Sequence, residues 1–425
     1  MPASCRRNPD GHRAGFPHRV DGIRTACRAL PGCEGAAVPE FDVCILGGGA
    51  AGLFCAATAA RRGRRVVVLD HATVPGRKIL ISGGGRCNFT NREAGPANYL
   101  SANPHFCRSA LARFRPQDFI RLVEERGIPY EERRHGQLFC LRSAKDIVAL
   151  LVDGAREAGA DLRWGVEVRG VRREDRYVID SSWGEVRAER LVVATGGLPV
   201  PSIGASDLGL RLARQFGHRV VETAPALAPL LLPPGELHAD LSGIAVDAEV
   251  WVPDAPVFRE NVLFTHHGVS GPAILQASSY WASRLPVRVD LLPGRDLAAE
   301  LASARAVKAQ LANHLGDLLP RRLLAARLHP TLAGKPVSQL SKADIAAAVQ
   351  ALQAWELHPT GTAGYLKAEV MRGGVDTQEL SSQSMESRLT PGLHFIGEVM
   401  DVTGWLGGYN FHWAWASGHA AGSAV

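Results

Sequence analysis

The chain predicts an α/β fold: a Rossmann-type dinucleotide-binding domain that carries an inserted β-barrel-like plus helical domain. Three observations carry this reading. Residues 41–70, FDVCILGGGAAGLFCAATAARRGRRVVVLD, read as strand, glycine turn, helix, strand and acid. A second buried strand, Leu191–Ala194, ends in Thr195, Gly196 and Gly197, and GLHFIG at 392–397 forms another that leads to a glycine-rich loop and a final helix. Between these halves, residues 220–374 change character, first Pro-rich with short β-type runs and then Ala/Leu-rich.

Residues 1–39 hold Pro, Gly, Arg and His with no apolar segment, and read as a disordered N-terminal extension. Phe41–Leu46 is a short apolar run, as a parallel strand covered on both faces requires. Gly47, Gly49 and Gly52 then occupy the G-x-G-x-x-G positions. The first permits the tight turn, the second lets a pyrophosphate reach the backbone, and the third lets helix pack on strand. Ala50 to Arg62 makes the helix, with Ala50 and Ala51 at its ligand-facing start, and Gly63 ends it. Arg65–Leu69 returns as a strand, and Asp70 closes it where a carboxylate can accept both ribose hydroxyls.

The next segment, VPGRKILISGGGRCNFTN at 74–91, interleaves Gly83, Gly84 and Gly85 with Arg77, Lys78, Ser82, Arg86 and Asn88. Exposed backbone N–H groups beside cations and amides make a cradle for phosphate or ribityl oxygens, where a plain glycine hairpin would need no cations. Residues 161–180 alternate around Val166, Val168 and Val171 as a strand pair placed to cover an adenine. Small residues Thr195, Gly196 and Gly197 permit close approach of a cofactor. Gly397 ends the 392–397 strand, and a loop from Glu398 follows; Gly407, Gly408, Tyr409 and Asn410 then open the helix 411–424, whose start offers unpaired N–H groups.

Composition sets the outer limits. The 425 residues are 46% hydrophobic and 21% charged, which suits two or three ordinary domains. No apolar run reaches the roughly 18–20 residues needed to span a bilayer. Of the formal charge of +6, +2 falls in residues 1–40 and +4 on the remaining 385, with no long Lys/Arg block, which argues against nucleic acid as a partner. The eight Cys are scattered and form no C-x-x-C pair or metal set, as in a cytoplasmic protein with reduced thiols.

The segment GRKILISGGGRCNFTN at 76–91 resembles the signature of the BaiN-like, aminoacetone-oxidase-like bacterial FAD flavoproteins. GQLFCLRSAKDIVALL (136–151), LVVATGG (191–197), LFTHHGVSGPAILQASSYW (263–281) and MESRLTPGLHFIGEVMDVTGWLGGYNFHWAWASG (385–418) resemble the same family, and only residues 1–40 lie outside the likeness. The resemblance implies non-covalent FAD in a glutathione-reductase-like domain, formed by 40–219 and 375–425. The insertion is then 220–374, β-rich over 220–295 and helical over 296–358. It implies that Asp401 holds the ribityl chain, that Cys87 lies near the flavin, and that the start of the last helix faces the flavin N1–C2=O edge. His266 and His267 read either as acid–base groups near the flavin or as a loop that only seats the insertion; Tyr409 is a further catalytic candidate. Two positions depart from the family pattern, Met371 for Thr and His412 for Gln, and the first would alter the cavity lining.

The implied activity is hydride transfer at flavin N5 on a small organic substrate, either reduction of an unsaturated carbonyl or oxidation of an amine. An RNA-interacting or sensor-type flavoprotein is the alternative. No second G-x-G-x-x-G unit follows the first, so NAD(P)H, if it is a transient donor, has no dedicated site and shares the substrate's cavity.

Overall fold

A computed structural model describes residues 38–237 and 239–425. The expected extension over 1–39 lies outside them apart from its last two residues, and residues 39–425 form one compact unit. Strand β1 (Glu40–Leu46), helix α1 (Ala50–Ala60) and strand β2 (Val66–Asp70) form the expected unit, followed by the short helix α2 (Arg77–Ile81). The main sheet has seven strands in the order Asp161–Trp164, β2, β1, Gly184–Val193, Tyr177–Ser181 and Val168–Arg173, with Leu393–Phe395 also paired to Gly184–Val193. β1 runs parallel to β2 and to Gly184–Val193, while 168–173 and 177–181 form an antiparallel hairpin on the far side. The expected strand pair over 161–180 is therefore three strands, because Asp161–Trp164 joins β2 in parallel as a sheet edge.

The shared first core is built from strands buried on both faces and from α1, an Ala-rich helix that is apolar on nearly every side. Helix Tyr409–Gly422 crosses α1 closely because Gly418 and Gly422 sit one turn apart on the contact face. A Cβ at Gly418 would come within 2.7 Å of the Ala51 carbonyl oxygen, and one at Gly422 within 2.7 Å of Thr58. Trp413 and Trp415 anchor the same helix, their indole N–H groups donating to the carbonyls of Gly397 and Phe89.

The insertion has its own core. A second seven-stranded sheet orders Trp355–Leu357, Val287–Asp290, Ala245–Trp251, Phe258–Phe264, Gly268–Ser270, Leu230–Leu231 and Gly361–Thr362. Five helices between Leu297 and Leu352 pack their leucines against it. Chain enters and leaves along one antiparallel pair, Val220–Ala226 with Val370–Val375. Trp405 packs against both cores, and its indole N–H donates to the Tyr280 hydroxyl at 2.8 Å.

His412 sits fully buried, its Nδ1 bonded to Thr90 Oγ1 at 3.1 Å beside the Phe114 ring. Burial, rather than its place near a helix start, pushes its pKa down to about 4. The unfolded chain takes up this proton first, so His412 costs stability as pH falls from about 6.5 towards about 4. We expect His412→Gln to flatten the acid limb of urea-melt stability by up to about 3 kcal/mol, the full linkage value of the shift. Buried His394, pushed to about 4 as well, keeps its own share of that limb.

Gly418→Val should cost at least about 1–3 kcal/mol, since the α1 crossing has no room for a side chain. Gly154→Ala is the control, because a Cβ at this position in the helix Lys145–Glu157 meets only Arg61 Nη2 of the neighbouring α1 end, at 3.5 Å. It should stabilise by up to about 1 kcal/mol in the same melts.

Candidate active site

One large cavity of about 730 Å³ opens where the main sheet, α2, the last helix and the segment leading into the strand Val370–Val375 meet. On one wall the β1–α1 turn is fixed by its glycines. Gly47 takes φ +110°, and a Cβ there would overlap the Ala194 carbonyl; a Cβ at Gly52 would overlap the Gly47 carbonyl. Gly48 lies against the Trp164 ring. Gly49 differs from its neighbours: nothing lies within 4 Å of where its Cβ would be, and the same holds for Gly84 and Gly196. All three line the cavity. The space beside three backbone positions is free for a ligand that approaches the main chain, next to the N–H groups that open α1. Arg77 and Lys78 bring cations to the same wall. Glycine turn, helix start and cations together fit the pyrophosphate of a dinucleotide.

Of the expected cofactor contacts, Gly47, Gly49, Ala50, Ala51, Asp70, Arg77, Lys78, Ser82, Gly83, Gly84 and Asn88 line this cavity. So do Val168, Thr195, Gly196, Gly197, Gly397, Glu398, Gly407, Gly408 and Asn410. Asp70 already accepts from the Gly48 N–H at 2.6 Å and the Ala72 N–H at 2.7 Å. An ionised carboxylate has about four acceptor positions, so capacity for ribose hydroxyls remains.

Other expected residues do not line the cavity. Asp401 is buried away from the cavity, where its carboxylate accepts from the Ala102 N–H at 2.8 Å and Ser101 Oγ at 3.4 Å. Desolvation by burial raises its pKa. The acid that faces the cavity is Glu398, three residues earlier: Oε2 pairs with Lys78 Nζ at 2.6 Å and Oε1 accepts from the Met371 N–H at 3.0 Å. Gly52 serves packing instead of contact, and the Gly85 carbonyl accepts from the Ala144 N–H just before the helix Lys145–Glu157. Arg86 turns outward to Glu131 at 3.2 Å. Cys87 is fully buried, and burial pushes its thiol pKa up, so it is an inert core residue.

The three catalytic candidates also lie elsewhere. His266 and His267 form the exposed tip between Phe258–Phe264 and Gly268–Ser270, closed by the Thr265 N–H donating to the Gly268 carbonyl at 2.9 Å. Neither lines the cavity. Tyr409 is buried with its ring edge-on to Tyr99, and burial pushes its pKa up to about 12. The Met371 side chain belongs to the core, so the cavity wall there is formed by Val370 instead.

Sequence reasoning missed the opposite wall of the cavity. Gln137 and Phe139 come from a strand against Asn88–Asn91, Trp405 from the loop after Asp401, and Leu366–Val370 from the insertion's exit. Leu366, Ile81 and Val74 are exposed apolar side chains around the mouth. No local motif marks these residues, because strand pairing and the return of the insertion bring them together.

Known proteins agree with this architecture. The pattern of the HI0933-like protein Rossmann domain matches residues 41–424. The chain is 49% identical over 390 residues to a ribosomal RNA dihydrouridine synthase of Escherichia coli, covering 90% of this chain and 97% of that protein. A protein of the same name from Haemophilus influenzae is 43% identical over the same shares of the two chains. A 3-dehydro-bile acid delta(4,6)-reductase of Clostridium scindens is 30% identical over 407 residues, covering 90% and 98%. No described helix is long and apolar enough to cross a membrane. With its glycine-lined cavity and a match over nearly all of its described length, the chain belongs to the HI0933-like family of FAD-dependent Rossmann-domain oxidoreductases.

Proposed function

We propose that this protein reduces the C5=C6 double bond of a uridine in ribosomal RNA, with FAD as its redox cofactor. The observation that carries the reading is 49% identity, over 97% of its length, to a protein named for that reaction. The chemistry named for the more distant reductase fits the same site. Uracil C5=C6 is conjugated to C4=O, just as a Δ4,6 double-bond system is conjugated to a 3-oxo group, so both are conjugate reductions of an unsaturated carbonyl. An apolar mouth at Leu366, Ile81 and Val74 suits a flat base turned out of its stack. The mild charge that argued against nucleic acid limits non-specific phosphate grip, while base capture in a pocket draws on shape and stacking instead.

In this reading the Gly47–Gly49 turn and the start of α1 hold the pyrophosphate, and Asp70 meets the adenosine ribose. Glu398 and Lys78, rather than Asp401, meet the polyol chain. Reduced FAD, when bound, supplies the hydride. The residues of this chain exclude water, orient the base and supply the proton.

The deciding experiment uses the full chain reconstituted with FAD and photoreduced without oxygen. It is incubated separately with in-vitro-transcribed ribosomal RNA and with a 3-oxo-Δ4 steroid, and nucleosides and steroid are read by mass spectrometry. Dihydrouridine with the steroid untouched is the expected result; steroid reduction with uridine intact would reverse the reading.

Cofactor seating gives a second expectation. Gly49→Ala should keep the wild-type melting temperature of the apoprotein yet weaken FAD binding by roughly tenfold to a hundredfold, about 1.4–2.8 kcal/mol. Gly47→Ala should fail to fold, because its Cβ has no space and φ +110° is strained for alanine.

A further inference from the structure

A conjugate reduction needs a proton as well as a hydride, and the cavity holds few groups that can donate one. Its carboxylates are Asp70, Glu369 and Glu398. Asp70 is engaged by two backbone N–H groups, and Glu398 by Lys78 and the Met371 N–H. Glu369 alone among them has neither a hydrogen-bond donor nor an ion-pair partner among the described residues. Among the described residues no tyrosine or cysteine lines the cavity, and its histidine, His71, lies beside Asp70 at 3.6 Å, at the dinucleotide end.

The position of Glu369 is set by backbone. Its N–H donates to the Leu227 carbonyl at 3.2 Å, which fixes the chain between the exposed turn at Leu366 and the strand Val370–Val375. Its side chain lines the cavity and remains exposed there.

We propose that Glu369 is the proton donor of the reduction, a role that rests on the uridine reading above. The carboxyl O–H bond breaks and a C–H bond forms at uracil C5, while hydride from the reduced flavin forms the C–H bond at C6. The C5=C6 π bond is consumed, the flavin is oxidised by two electrons, and Glu369 is left as carboxylate to be reprotonated from solvent. Desolvation raises its pKa, which favours the protonated form the step requires; Lys78 pulls the other way. The other charged groups lining the cavity are Arg77 on α2, Glu398, Lys367 two residues before it, and His71 and Asp70 at the far end.

The test compares the FAD-loaded full chain with Glu369→Gln and Glu369→Asp on in-vitro-transcribed ribosomal RNA in single-turnover mode. Glu369→Gln should lose roughly a hundredfold or more of the dihydrouridine-forming rate, as removal of a general acid does. Glu369→Asp should keep part of that rate. FAD affinity and photoreduction should match the wild type in both variants. The wild-type rate should fall as pH rises through the Glu369 pKa, and that limb should vanish in Glu369→Gln. Independently of turnover, the infrared C=O stretch of a protonated carboxyl should persist to higher pH than that of a free glutamate side chain and be missing from Glu369→Gln. An active wild type with an equally fast Glu369→Gln, or with no such band, overturns the assignment and leaves the uridine reading standing. A wild type that forms no dihydrouridine overturns the uridine reading, and the assignment with it.

Discussion

The fold turns on the close approach of three backbones at the end of β1. The carbonyl of Ala194, the turn at Gly47 and the start of α1 at Gly52 meet with no space for a Cβ between them. That contact fixes α1 over the sheet and leaves its N-terminal N–H groups facing the cavity. Asp70 reinforces it from the neighbouring strand by accepting from Gly48 and Ala72. Charge-assisted bonds of this kind are worth about 1.5–3 kcal/mol each, so the acid shapes the loop before it meets any ligand. The last helix then closes the layer through Gly418 and Gly422, which let it settle on α1.

A second constraint joins the two cores. Trp405 contributes to both, bonds to Tyr280 in the insertion, packs edge-on against Phe258 and lines the cavity. One large aromatic residue therefore couples how the insertion sits to the shape of the site. The pair Val220–Ala226 and Val370–Val375 does the same through the main chain. Gly373, at φ +75°, leaves no space beside the Glu222 carbonyl, and Gly374 none beside that of Val399.

What was legible in the sequence was local. Gly47, Gly49 and Gly52 state a backbone geometry within six residues, and the apolar runs on either side state burial, so the first βαβ unit could be read directly. The cation-rich loop was legible for the same reason, although Arg86 and Cys87 point away from the site that Arg77 and Lys78 face. Glu398 and Asp401 could not be told apart, since they share one loop. The tight turn at Gly397–Val399 and the distant Ala102 N–H decide which faces in. His266 and His267 drew attention by residue type, while their position at a hairpin tip depends on pairing that spacing alone does not encode. The wall at 366–370 was not legible at all, because it reaches the cavity only after some 150 residues of insertion have folded back.

That return path has a consequence for how such a protein can change. The β1–α1 turn is locked by backbone contacts that tolerate no side chain, whereas the residues opposite it arrive on the exit of a separately packed domain. Substitutions at Leu366 or Lys367 can alter what enters the cavity without disturbing Gly47, Gly52 or Ala194. The molecule thus holds one wall of its cavity fixed by main-chain contacts and leaves the opposite wall free to vary, so small steps in one short segment can reshape the cavity.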